Sequence, residues 1–266
     1  MFREITLGQY YPADSILHKL DPRVKLFATL IYIIGIFVLD DIVGFVLVTA
    51  ALIAVIKLSR VPFKFMVKGL KGIIIILVIA GIFNLLLTPG TVLVTFWKLK
   101  ITEEGLRNAV LMTVRMIYLI IGTSIMTLTT TPNQLTDGLE KSLAPLKRLK
   151  FPVHEVAMMM SIALRFIPIL IEETDKIMKA QMARGADFES GGLIKKAKNM
   201  IPLLVPLFVS AFRRANDLAL AMEARCYNGG EGRTKMKPLT YASTDRNAYI
   251  WIIGFFVVLV VLKIVI

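Results

Sequence analysis

The stretch IVGFVLVTAALIAVIKL, Ile42–Leu58, decides the fold. Its single charge, Lys57, sits one position from the end. Wound as an α-helix at about 1.5 Å per residue, it crosses most of a bilayer core about 30 Å thick. Four other runs have the same character: Val24–Leu39, Gly72–Thr88 (stopped by Pro89-Gly90), Ala109–Thr130 and Ala248–Ile266. None contains an acidic residue, and only Arg115 and Lys263 place a full charge well inside a run. Arg115 stands near the start of its run, where a long side chain can snorkel to the interface. The pattern predicts an all-α integral membrane protein with about five transmembrane helices.

Composition agrees and narrows the function. Apolar residues make up 56% of the chain, above the usual 45–50% or so of soluble domains. The net charge of +13 would suggest nucleic acid in a soluble protein. Here the cations lie between the apolar runs, as cytosolic loops of membrane proteins require, so no nucleic-acid partner is expected. Cys226 is the only cysteine, which leaves no intrachain disulfide and no cysteine-built metal site. His18 and His154 are too few and too scattered for a histidine metal cluster. The first twenty residues lack the basic-then-apolar opening of a cleaved signal peptide.

Loop charges set the orientation. The 57–71 connection carries Lys57, Arg60, Lys64, Lys68 and Lys71 with no anion, whereas the Asp40-Asp41 turn is wholly acidic. The cationic side is cytosolic. That places the amino terminus and residues 131–247 in the cytosol of a multi-pass cell-membrane protein. Three regions follow: 1–130 with four spans, 131–247 as a cytosolic-side platform, and 248–266 as a last span.

The 131–247 region holds eighteen Lys/Arg against twelve Asp/Glu, yet it is striped with apolar residues. Val156, Met160, Ala163, Ile167, Leu170, Ile171 and Met178 recur at helical spacing. A second stripe between Leu193 and Tyr227 runs through Ile201, Leu204, Phe208, Phe212, Leu218 and Met222. Both helices read as too charged at their far ends to span and too apolar at their near ends to lie bare in water.

The two helices repeat one another. Each carries Ile-Pro (Ile167-Pro168, Ile201-Pro202), and each ends in Ala-Arg plus a small residue: Ala183-Arg184-Gly185 and Ala224-Arg225-Cys226. Gly185 and the Asn228-Gly229-Gly230 run are helix stops. An arginine in a last turn favours the negative end of the helix dipole by about 0.3–1 kcal/mol. It also offers a rigid five-donor fork to a carboxylate. The Met158-Met159-Met160 run supplies unbranched side chains that can repack against more than one partner. Pro168 and Pro202 are expected to kink or start helical pieces. Asp21-Pro22 reads as an N-cap with proline at the first helical position, and His18 as a structural hydrogen-bonding residue.

With these motifs in order, the chain resembles the transmembrane T component of energy-coupling factor transporters, ABC importers of vitamins and metal ions. The resemblance extends from Ser15-Ile16-Leu17-His18-Lys19-Leu20-Asp21-Pro22-Arg23 through Thr131-Pro132-Asn133-Gln134-Leu135-Thr136-Asp137 and Ala163-Leu164-Arg165-Phe166-Ile167-Pro168 to the two Ala-Arg endings. It implies that the amphipathic helices are coupling helices. Arg184 and Arg225, with Ala183, Gly185, Ala224 and Cys226, would each dock one of two ATP-binding cassette ATPase subunits. Met158, Met159, Met160, Pro168 and Pro202 would belong to a platform cradling a separate substrate-binding membrane subunit. The second motif departs from the family in ending in Cys226 rather than glycine. No Gly-x-x-x-x-Gly-Lys-[Ser/Thr] loop occurs, so a non-catalytic subunit without its own cofactor is expected, with ATP bound by its partners. The alternative is a self-sufficient secondary transporter or channel. That alternative requires ionisable residues or broken helices at mid-membrane, and the spans offer little beyond Asn84.

Overall fold

In the computed structural model, which describes residues 9–96, 99–188, 192–229, 236 and 238–265, the chain forms two compact units. One comprises Gly8–Gly138 with Leu239–Ile266, the other Leu139–Pro238. The first unit begins with a short helix α1 (Ile16–Lys19), then α2 (Pro22–Val38), α3 (Ile42–Ser59), α4 (Phe63–Lys71) and α5 (Ile74–Leu87). An antiparallel hairpin of β1 (Val92–Phe96) and β2 (Leu99–Thr102) leads into α6 (Glu103–Thr129), and α7 (Pro132–Ser142) follows. After α8 (Val153–Ala183), α9 (Leu193–Asn199) and α10 (Ile201–Glu223), the chain returns to the first unit as α11 (Ser243–Val265).

The predicted all-α membrane fold is what forms, apart from the small hairpin between Val92 and Thr102. Spans and elements do not match one to one. By length and composition α3, α6, α8 and α11 can cross a membrane, and α4 with α5 make a fifth candidate bent by 63°. The supposed charged loop before Gly72 is therefore helical, and the break falls at Gly72-Ile73, not at the start of a straight span. At 17 residues, α2 is about 26 Å long, short of the hydrocarbon core. The charges that argue against spanning by the first amphipathic helix, Glu172, Glu173, Asp175, Lys176 and Lys179, all lie in the second half of α8. Between Val153 and Leu170 only Glu155 and Arg165 are charged, so that half is apolar enough to cross.

The first unit packs around α6. Leu52, Val61, Met66, Ile121, Ile125 and Leu128 form one buried cluster, and Ile36, Leu39, Phe45, Val48 and Leu259 another. Tyr32 donates to the Tyr118 carbonyl at 2.8 Å. Its ring lies so close to Gly122 that a Cβ there would come within 2.1 Å of it, so only glycine fits.

Both charges that interrupt apolar runs go to one carboxylate. Arg115 donates to the Leu39 carbonyl and to Asp40, and Lys263 pairs with Asp40. The acidic turn thus gathers α6 and α11 at the end of α2. The Lys263 ammonium holds the Asp40 carboxyl below its usual range, against a smaller push from burial, with Arg115 assisting. Snorkelling of Arg115 therefore ends on a named partner.

At the opposite end of α2 lies a buried polar knot. Asp21 caps the helix by accepting the Arg23 N–H at 2.9 Å, with Pro22 in the first turn. Arg23 grips Asp21 bidentately at 3.0 and 2.8 Å and stacks over Tyr241 at 3.7 Å. Lys25 donates to the Thr129 carbonyl at 2.8 Å. Asp245 is fully buried at the start of α11 and accepts the backbone N–H groups of Asp21 and Ala242, both at 2.8 Å. His18 Nε2 donates to the Tyr11 carbonyl at 3.0 Å while Nδ1 takes the Ser15 hydroxyl at 2.7 Å, the structural role expected of it.

Candidate functional site

The candidate site lies in the second unit, on α8 and α10. α8 is one continuous helix of 31 residues with Pro168 inside it. The expected second long helix is instead two, with a break at Met200 and Pro202 in the first turn of α10. Proline is at home there, because its missing N–H is one that no helix start uses. Pro206 lies within α10.

The two motif endings share one backbone solution. At α8 the Gly185 N–H donates to the Met182 carbonyl and the Ala186 N–H to Gln181, both at 3.0 Å, with Gly185 at φ +89°. At α10 the Cys226 N–H donates to Glu223 at 2.8 Å and the Tyr227 N–H to Met222 at 3.0 Å, with Cys226 at φ +55°. Both are Schellman caps, which need a left-handed residue just past the helix end. Arg184 and Arg225 occupy the same capping position, one residue before the turn. Gly230 lies outside the described residues, and the second helix stops on Cys226 rather than on the glycines after it. Cys226, the small residue that stands where the first motif has glycine, is exposed and carries the glycine conformation.

All six motif residues, Ala183, Arg184, Gly185, Ala224, Arg225 and Cys226, are exposed. Among the described residues neither arginine forms an ion pair. The helices run antiparallel: Gln181 reaches the Pro202 carbonyl at 3.4 Å, and Glu173 pairs with Arg214 at 2.6 Å. Arg184 therefore sits beside the start of α10 while Arg225 sits at its far end. The 23 residues of α10 put them about 35 Å apart. The structure brings together not one arginine cluster but two separated tips.

Of the platform residues, Met159 and Met160 are exposed and Met158 half-buried, while Pro168 and Pro202 are exposed. Sequence reading missed a wider surface. α10 packs through Leu203, Leu207, Ser210, Arg214 and Leu218, and leaves Ile201, Leu204, Val205, Phe208, Val209 and Phe212 exposed. Most of the apolar stripe read from the sequence faces outward. Its signal was present: α10 carries apolar residues over a wider arc than one neighbour can cover, and contiguous exposed apolar surface marks a contact site. Among the described residues no three His, Cys, Asp or Glu side chains gather as a metal ligand set.

Candidate spans and two like-capped helix ends together define an all-α, multi-pass integral membrane protein. The family model described as CbiQ, cobalt transport protein, matches residues 13–236. The chain belongs to this family, as the transmembrane T component of energy-coupling factor transporters. It is 53% identical over 248 residues to the energy-coupling factor transporter transmembrane protein EcfT of Thermosediminibacter oceani, covering 93% of this chain and 94% of that one. The protein of the same name from Clostridium kluyveri is 54% identical over 247 residues, 92% of each chain. That of Bacillus subtilis is 48% identical over 254 residues, 95% of this chain and 96% of its own. The protein is therefore a multi-pass component of the cell membrane, acting within an energy-coupling factor transporter.

Proposed function

We infer that this chain is the non-catalytic scaffold that couples ATP hydrolysis by two cytosolic ATPase subunits to movement of a separate substrate-binding membrane subunit. Through that subunit the complex takes up a micronutrient, a vitamin or a metal ion. The chain binds no cofactor of its own; ATP sits on the partners. Arg184 docks one ATPase and Arg225 the other, each through a guanidinium fork offered to a carboxylate. Ala183, Gly185, Ala224 and Cys226 keep the tips narrow enough for a partner's backbone to approach. The substrate-binding subunit rests on Met158, Met159, Met160, Pro168, Pro202 and the bare face of α10. Residues 131–247 lie on the cytosolic side.

One observation carries this proposal: two identically capped arginine tips, unpaired among the described residues, stand about 35 Å apart at opposite ends of an antiparallel helix pair. Tips so far apart suit two separate subunits better than one. In the assembled transporter, Arg184→Ala with Arg225→Ala leaves membrane insertion intact and abolishes ATP-dependent uptake. Normal uptake by a properly inserted double variant overturns the assignment, as does solute movement by the chain reconstituted alone.

A further inference from the structure

The cationic segment at 57–71 has a geometry that orientation alone does not require. In α4, Lys64, Lys68 and Lys71 fall within an arc of about 60° at 100° per residue, and all three are exposed. The opposite side is anchored. Met66 is fully buried in the cluster with Ile121 and Ile125, and a Cβ on Gly69 would lie 3.6 Å from the Ser124 hydroxyl of α6. The lysine face is thus held outward, and these lysines form no ion pair with any described residue. At Gly72-Ile73 the chain turns through 63° into α5.

Just past that elbow a groove of about 450 Å³ opens between α5 and α6. Ile74 and Ile117 line its near end, Leu85 and Leu106 its far end, and Leu77 and Ala109 its floor. It extends about 16 Å along α5. Its lining is apolar apart from Thr113.

The two arms of the elbow thus carry a fixed cationic face on α4 and an apolar trough along α5, a combination complementary to a molecule with an anionic head and a hydrocarbon tail. We propose that the α4–α5 elbow binds an anionic phospholipid, its phosphate on Lys64, Lys68 and Lys71 and one acyl chain in the α5–α6 groove. A free phosphate would leave the trough uncovered. A partner's apolar helix would leave the three charges unanswered. Loop charges put the elbow at the cytosolic leaflet, where anionic lipids concentrate and attract basic segments.

The test uses the purified full chain in nanodiscs of phosphatidylcholine doped with phosphatidylglycerol, with retained lipid counted by native mass spectrometry. The wild-type chain retains phosphatidylglycerol in preference to phosphatidylcholine, less so as salt rises. The triple variant Lys64→Gln, Lys68→Gln, Lys71→Gln, all surface changes, lowers that preference by up to about a hundredfold. Val110→Trp, at a groove position 54% exposed, weakens retention of long-chain phosphatidylglycerol while sparing a short-chain form. Equal retention of the two lipids by wild type overturns the proposal, as does undiminished preference in the triple variant. Cross-linking of a Val110→Cys groove to another polypeptide, with no lipid retained, also overturns it.

Discussion

Cys226 shows how much one dihedral angle decides. An L-residue in the left-handed region costs about 1–2 kcal/mol that glycine avoids. Glycine loses more chain entropy on folding, which cancels part of that gain. Cys226→Gly is expected to raise stability by about 0.5–1 kcal/mol, read as a higher melting temperature in detergent, with uptake retained. Asp245 lies at the other extreme. Its carboxylate is the acceptor for two buried backbone N–H groups, and Asp245→Ala leaves both unsatisfied, at a cost of about 2–3 kcal/mol. Asp245→Asn, keeping one acceptor oxygen, should cost less; equal melting of the alanine variant and wild type would dismiss the knot as incidental. Nearby, burial pushes the Asp21 carboxyl up, but hydrogen bonds from Arg23 and its backbone N–H more than offset this and hold it low. A group held low contributes stability that is present above the ordinary carboxylate value of about 3.9 and lost as pH falls through the lower folded value. The stability difference between wild type and Asp21→Asn should therefore be flat from about pH 7 to pH 5 and shrink only below about pH 4.

Among the elements, the two prolines of the repeat sit in unlike places despite like sequence. Pro168 interrupts the hydrogen-bond ladder of a continuous α8, whereas Pro202 opens α10 where no bond is lost. Interior proline costs a helix about 3 kcal/mol and the first turn almost nothing. Pro168→Ala is accordingly expected to stabilise α8 and, by stiffening the arm, to slow uptake; Pro202→Ala should change stability little. Comparing melting temperatures and transport rates of the two variants checks both statements. The Glu173–Arg214 pair bridges α8 and α10. Since both groups are partly exposed, at 26% and 35%, the pair contributes no more than about 1 kcal/mol to stability. Its larger effect is on register. Glu173→Arg should impair uptake and Arg214→Glu should restore it in the double variant, an outcome that a loss of charge alone would not produce.

For the whole molecule the deciding property is sidedness. α8 is long and apolar enough to cross a membrane, yet loop charges place its two flanks together in the cytosol. In a Cys226→Gly background, Leu149→Cys and Gly192→Cys bracket α8 at exposed positions. Both should escape an impermeant thiol reagent added outside intact cells. Labelling of one but not the other would make α8 a transmembrane span and displace one arginine tip from the cytosol.

The apolar runs, the acidic turn, the paired Ala-Arg endings and the N-cap at Asp21 were legible in the sequence because each depends on local chemistry. Burial in lipid follows hydropathy over a turn or more, and caps follow the identity of one or two residues. Packing decided the rest. That Arg115 and Lys263 meet on Asp40, that Asp245 closes a knot with Asp21 across 224 positions, and that α10 turns its wider apolar face outward depend on which helices become neighbours. A stripe of apolar residues states that a face will be covered, not by what. Only the antiparallel pairing of α8 and α10 placed the two arginines at opposite ends of one rigid element rather than side by side.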